Sequence, residues 1–373
     1  MKNYIRVDGN SQIGLGHIMR CLSIADALKE MGVTSVFITA DREAEEFILS
    51  RGYEMIHLGS DYTNMEAEIP KLLRIIKAQG IERILVDSYY ATKDYFQALN
   101  LVYCYSNQPT KSKVKIVVSS KLKIAYLDDL GKFAYPVDLL INYNIYGPNM
   151  DYKKMYHDAD NHVIRDSIVK DTESTKFIVG CDYAPVRDEF RDVPYTVKDQ
   201  VENVMITIGG GDNLNIAGAL ADHFVSKFPE VTFHVVSGAY NCNLPYLKEL
   251  EGKHKNVKIH HKVEHMSELM KDCDVAISPA GSTVYELCAV GVPTISFYYV
   301  QNQRKIAETL HEEIKVINAG DYTMDEELVL ITIEEQFRFL CSHYEMREKL
   351  HNDMKQLVDG NGAKRIAECL LKV

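Results

Sequence analysis

Short apolar runs alternate with stretches whose apolar positions recur at helical spacing along almost the whole chain. That alternation predicts an α/β class built on parallel sheets, because a parallel strand pair needs a crossover long enough to be a helix. In the first half the runs predict strands at 4–7, 34–39, 53–57, 83–87, 123–127 and 137–141, with helices around 17–31, 42–51, 65–79 and 93–102. A second series opens at Val204–Ile208 and continues near 231–237, 257–260, 274–278, 293–299 and 315–317. Both series start alike, with a strand running into a glycine-rich turn: DGNSQIGLG in the first and GGGDN in the second. Segment 181–199, with its prolines and mixed charge, reads as a linker, and the polar, basic stretch 105–115 as an exposed turn.

The repeated grammar predicts two Rossmann-like, doubly wound domains, 1–185 and 186–356, followed by a C-terminal helix at 357–373 that can pack back on the first domain. Sheets of this kind bind ligands beyond the carboxyl ends of their strands, where the strand order reverses. The site is therefore expected in the cleft between the domains.

Composition narrows the ligand. A hydrophobic share of 46% and a charged share of 25% are those of a globular protein. No run reaches the roughly 18 apolar residues of a membrane helix, so no membrane insertion is expected. The opening MKNYIRVDG turns directly into a strand, which sets the expectation of a cytoplasmic chain. A net charge of -11 excludes nucleic-acid binding through a broad basic face. An anionic small ligand must then be held locally, by backbone amides or a few cations. Eight cysteines without a CxxC pair suggest neither a disulfide framework nor a zinc site, and His260, His261 and His265 fall at a strand end and turn where HxxxH cannot chelate, so no metal or cofactor is expected.

The stretch IGLGHIMRC carries the first candidate chemistry. Gly14 and Gly16 match two glycines of a dinucleotide fingerprint, but Met19 stands where the third allows close helix packing. A nicotinamide enzyme, with Asp41 as its ribose acid, is thereby the weaker reading. His17 points toward the cleft from a strand-to-helix turn, and a helix N-terminus disfavours the imidazolium, leaving a neutral imidazole that can accept a proton. Arg20, one turn on, either holds the loop or contacts an anion.

In SPAGSTVYE, Ala280, Gly281, Ser282 and Thr283 form a small-residue turn before a helix, where outward amides can bind phosphate. Glu286, about one turn on, would reach a ribose diol, or else serve in a capping box. Gly210 and Gly211 let backbone pass close to a ligand or to the other lobe. Asn302 and Gln303 at a helix start suit sugar hydroxyls. Strand-end Asp87, Ser88 and Tyr89, then Asp128 and Asp129, then Asn142 and Asn144, suit a sugar bearing several hydroxyl or amide groups.

Taken in order, GLGHIMRC (14–21), YAPVRDEF (183–190), ITIGGGD (206–212), SPAGSTVYE (278–286) and QNQ (301–303) resemble the UDP-sugar hydrolases of pseudaminic acid biosynthesis. More distantly they resemble the lipid II-forming N-acetylglucosaminyltransferases, which share the two-lobed GT-B fold. The resemblance implies metal-independent, inverting hydrolysis of a UDP-linked diacetamido-trideoxy sugar to UDP and free sugar. It implies that His17 activates water and that Tyr89 and Asn302 hold the sugar or the water. It further implies that Gly281, Ser282, Thr283 and Glu286 bind pyrophosphate and ribose, and that backbone near Val263 reads the uracil. A UDP-sugar-dependent glycosyltransferase would use the same phosphate turn, and a non-catalytic sugar-nucleotide sensor would keep that turn without needing His17. Additional length around 105–175 and 320–358 is a departure that bears on the sugar pocket or on a partner surface.

Overall fold

The structure is a computed structural model that describes residues 2–100, 122–161 and 175–373; the stretch 105–115 lies outside the described residues. The first sheet contains β1 (Lys2–Val7), β2 (Thr34–Thr39), β3 (Glu54–His57), β4 (Arg83–Asp87), β5 (Lys123–Leu127), β6 (Leu139–Asn142) and β7 (Lys176–Val179), ordered β3-β2-β1-β4-β5-β6-β7. All its neighbours pair in parallel. Helices α1 (Gly16–Glu30), α2 (Glu45–Ser50), α3 (Met65–Gln79), α4 (Lys93–Asn100) and α5 (Tyr152–Asn161) accompany it.

The second sheet contains β8 (Asn203–Thr207), β9 (Thr232–Ser237), β10 (Val257–His261), β11 (Val275–Pro279), β12 (Thr294–Tyr298) and β13 (Ile317–Asp321), ordered β10-β9-β8-β11-β12-β13 and again parallel. Around it lie α6 (Ile216–Val225), α7 (Leu244–Lys253), α8 (Met266–Asp272), α9 (Thr283–Val290), α10 (Gln301–Ile314), α11 (Glu326–Ser342) and α12 (Tyr344–Leu357), and α13 (Gly362–Leu371) ends the chain.

Two strands differ from the predicted series. β7 is only four residues long, too short for alternation to stand out. β13 starts later than 315 because Lys315, in the left-handed region at φ 60°, caps α10 there.

Alternating side chains feed two separate cores. Ile5, Val7, Phe37, Leu85 and Leu127 join a cluster that continues through α1 and α13 into the second lobe. Their sheet neighbours Tyr4, Val36, Ile84, Val86 and Tyr126 pack instead into a cluster with residues of α3 and α4. Each such side chain contributes roughly 1.5–3 kcal/mol when removed from water. The last helix, α13, packs on α1 of the first lobe through buried residues that include Ile366 and Leu370. Among the described residues, no helix is long and apolar enough to cross a membrane.

Strand order reverses between β1 and β4 in one sheet and between β8 and β11 in the other. Residues following these four strands converge on a single cleft.

Candidate functional site

A cavity of ≈ 420 Å³ lies between the lobes, within the range of small-molecule sites. Its first wall begins at the turn after β1. Asn10 accepts the amides of Gln12 and Ile13 on its side-chain oxygen, each at 3.0 Å, and Gly14 closes the loop with φ 75°, a conformation that favours glycine. The chain then enters α1 at Gly16. Close packing of helix on strand is supplied by Gly9, where a Cβ would collide with Ile18, so Met19 at the third fingerprint position obstructs nothing.

His17 lines the cavity yet is only 5% exposed. Its Nδ1 lies 2.7 Å from Asp87 Oδ1 at the end of β4, so Nδ1–H donates to the carboxylate and Nε2 is left as the acceptor. Tyr89 packs edge-on against the imidazole, ring centroids 4.4 Å apart. Arg20 completes the group: Nε donates to Asp87 Oδ2 at 2.6 Å, Nη2 to Asp87 Oδ1 at 2.5 Å and Nη1 to the Tyr143 hydroxyl at 2.7 Å, and Nη2 forms an ion pair with Asp129 Oδ2 at 2.9 Å. Burial alone would raise the Asp87 pKa, but the guanidinium and the imidazole N–H hold it well below the usual carboxylate range. Arg20 is therefore a scaffold for the histidine, with three N–H groups given to Asp87 and Tyr143.

The facing wall starts at β11. Pro279 ends the strand, and Ala280, Gly281, Ser282 and Thr283 turn into α9. Ala280 donates its amide to Phe297 O at 2.9 Å and Gly281 to Pro279 O at 2.8 Å, while the Ser282 and Thr283 amides have no acceptor among the described residues. Two unused donors at a helix N-terminus form an anion cradle. The side chain of Ser282 makes no cap bond, so the capping-box reading does not apply. Gly210 and Gly211 line the same wall, and a Cβ on Gly210 would stand 3.3 Å from the Leu15 amide of the other lobe.

Ties across the cleft fix the two walls together. Asn302, at the start of α10, donates to the Tyr89 hydroxyl at 2.9 Å. Tyr285 donates to Asn144 Oδ1 at 3.2 Å and accepts the Ile145 amide at 3.2 Å. Within the second lobe, Gln303 Oε1 accepts the Tyr299 amide at 3.2 Å. Burial raises the Tyr89 pKa, with Asp129 adding to it, so the phenol keeps its proton.

Several residues proposed from sequence stand elsewhere. Asp87 does not line the cavity but lies behind His17. Asn142 is fully buried, donating to the Tyr152 hydroxyl at 2.8 Å and accepting the Asn144 amide at 3.1 Å; its neighbour Asn144 reaches the cavity instead. Glu286 is engaged by Arg187 Nε at 3.2 Å, and burial, opposed by that arginine, raises its pKa. It lines a separate space of ≈ 30 Å³, too small for a ribose. Val263 follows β10 and packs on the core outside the cavity lining. Asp41 binds the Glu43 amide at 2.9 Å and forms no part of the cavity. Asp129, named with Asp128 at the end of β5, lines the cavity, and Tyr143 and Tyr285 belong to the site without having been singled out for it, although INYNIYG holds a tyrosine at a strand end.

The chain is similar to known proteins in sequence and fold. Residues 217–365 match the Glycosyltransferase family 28 C-terminal domain. The chain is 24% identical over 376 residues to the spore coat polysaccharide biosynthesis protein SpsG of Bacillus subtilis, covering 98% of this chain and 96% of that one. It is 24% identical over 311 residues to the UDP-2,4-diacetamido-2,4,6-trideoxy-beta-L-altropyranose hydrolase of Campylobacter jejuni, covering 83% and 96%. The Methanocaldococcus jannaschii protein MJ1062 is 24% identical over 320 residues, covering 82% of this chain and 57% of its own length. In three dimensions the chain superposes on Acinetobacter baumannii MurG with TM-score 0.62, 12% identity and full coverage of both chains. The fold is GT-B, two Rossmann-like parallel-sheet domains with a cleft between them.

Proposed function

We propose that this chain hydrolyses a UDP-linked sugar to UDP and free sugar with inversion, the favoured substrate being a UDP-diacetamido-trideoxy sugar like that named for the Campylobacter relative. The observation that carries the reading is one cavity-lining histidine with Nδ1 anchored on a carboxylate and Nε2 without a hydrogen-bond partner among the described residues, opposite a wall that offers two free helix-terminal amides. His17 Nε2 takes a proton from water as the water oxygen bonds to the anomeric carbon. The bond from that carbon to the β-phosphate oxygen breaks, its electron pair leaves with UDP, and the amides of Ser282 and Thr283 receive the growing negative charge. Tyr89 and Asn302 close the sugar end. UDP is a good leaving group, so the scheme invokes no metal, cofactor or second acid. The Val263 backbone remains the candidate for the uracil, and Glu286 for the ribose only if Arg187 releases it.

The match to the family 28 domain favours a second reading, a UDP-sugar-dependent glycosyltransferase in which an acceptor hydroxyl replaces water. Incubation with UDP-sugars in water alone, with and without EDTA, separates the two by following UDP release. Release without acceptor and insensitive to chelator is expected. His17→Ala should retain UDP binding and lose roughly 10²- to 10⁴-fold in rate; undiminished turnover in that variant would remove the proposed base.

A further inference from the structure

The charged residues lining the cavity, among those described, are His17, Arg20, Asp129 and Asp212. Asp212 is spent on its own helix, accepting the Ile216 amide at 2.8 Å and the Ala217 amide at 2.9 Å. Arg20 faces two carboxylates, Asp87 behind the histidine and Asp129 on the cavity wall. With His17 neutral, this group carries one net negative charge. That is an unexpected choice for a pocket meant to receive a diphosphate, since it disfavours the ground-state ligand.

We infer that Asp129 is a second catalytic residue, its carboxylate stabilising the positive charge that develops on the sugar ring as the bond to UDP breaks. The inference rests on the hydrolase reading above. A fixed negative charge that weakens binding of the anionic substrate is useful when the sugar becomes cationic, so its effect falls on the rate and not on affinity. The geometry suits the role. Asp129 Oδ1 accepts from Asn144 Nδ2 at 2.9 Å, Oδ2 pairs with the Arg20 guanidinium at 2.9 Å, and the Asp129 carbonyl accepts from the Tyr146 hydroxyl at 2.6 Å, so the group is held still. Each carboxylate oxygen keeps a lone pair beyond these bonds. Arg20 Nη2 touches both Asp129 and His17 Nδ1, at 2.9 and 3.0 Å, so carboxylate and base are immediate neighbours. The free amides of Ser282 and Thr283 occupy the opposite wall, which places negative charge at the sugar end and donors at the phosphate end. Asp87 cannot act in this way because the imidazole stands between it and the cavity.

The test uses Asp129→Asn with three readouts: UDP affinity by calorimetry, the rate of UDP release against pH, and binding of the piperidine iminosugar 1-deoxynojirimycin with UDP present. The expected result is UDP affinity equal to or tighter than wild type, a kcat lower by about 10²-fold that persists on the high-pH plateau, and iminosugar binding weakened at least tenfold. A rate that returns to the wild-type value on the high-pH plateau would overturn the proposal, because Asp129 would then act only through the titration of His17. A wild-type measurement covers the case in which the variant misfolds: the protonated iminosugar must bind more tightly than its uncharged form when UDP is present, and equal affinity overturns the proposal. Wild-type protein that binds no UDP sinks the hydrolase reading first, whereas normal hydrolysis with an unaffected Asp129→Asn sinks this inference alone.

Discussion

Arg6 and Arg20 are both buried, both held by two carboxylates, and sit in the same lobe, yet one builds a core and the other a site. Arg6 is the penultimate residue of β1, with its guanidinium fully enclosed. It donates to Glu68 twice at 2.7 Å and to Asp8 at 2.6 Å. Those acids also accept the Tyr95 hydroxyl at 2.9 Å, the Ser60 hydroxyl at 3.0 Å and the Ala40 amide at 2.7 Å. Arg20 lies on α1 beyond the strand ends, where the analogous positions go to His17 and to the cavity. A polar network with every partner supplied by protein is scaffold; the same network with one acceptor left open to a cleft can do chemistry.

The comparison is most sharply tested at Asp87. Asp87→Asn presents an amide that can donate to Nδ1 and leave the proton on Nε2, so UDP release should fall about 10²- to 10⁴-fold while UDP affinity holds. Undiminished release would mean that the tautomer does not matter. Next in size, Arg6→Met leaves buried carboxylates without their cation and should cost about 3–5 kcal/mol in urea denaturation. Arg20→Met should cost less, because Asp129 can be solvated from the cavity, and equal losses would erase the distinction between sealed and open networks.

The smallest effect is the acid slope of stability. Asp87 has a folded pKa below the ordinary 3.8, so its pairing stabilises the fold above that value and is lost as pH falls through the folded value. Asp8 goes the other way: burial outweighs Arg6, its pKa is raised above 3.8, and its contribution improves as pH falls through the raised value. Stability of Asp87→Asn and Asp8→Asn relative to wild type, measured from pH 6 to pH 3, should therefore change in opposite directions. Parallel curves would contradict the assignment.

Much of this was legible in the chain. Turn residues at strand ends announced themselves by composition, so His17, Gly14, Gly16, Gly210, Gly281, Ser282 and Thr283 could be placed toward the cleft by period and punctuation alone. Side chains inside the strands could not. Asn142 and Asn144 differ by two positions and share a type, and only the close of β6 decides that the first is fully buried while the second reaches the cavity. Glu286 stands at the proper helical distance from Ser282, but its partner, Arg187, lies 99 residues away in the connecting segment. Tyr285 looks like a core residue of a short apolar helix until the other lobe is present to accept its hydroxyl.

The sequence by itself determined two repeated series of strands and helices, the glycine turns that end β1 and β8, and the presence of one proton acceptor and one amide turn. Those are local properties, set by side-chain periodicity and by which residues tolerate a left-handed or tightly packed backbone. Tertiary structure alone decided that Asp87 orients His17, that Arg20 is a brace, that Asp129 faces the cavity and that Tyr89 meets Asn302. Each of these pairings joins residues brought together by strand order or by lobe apposition, and such contacts depend on how sheets assemble and not on any spacing along the chain.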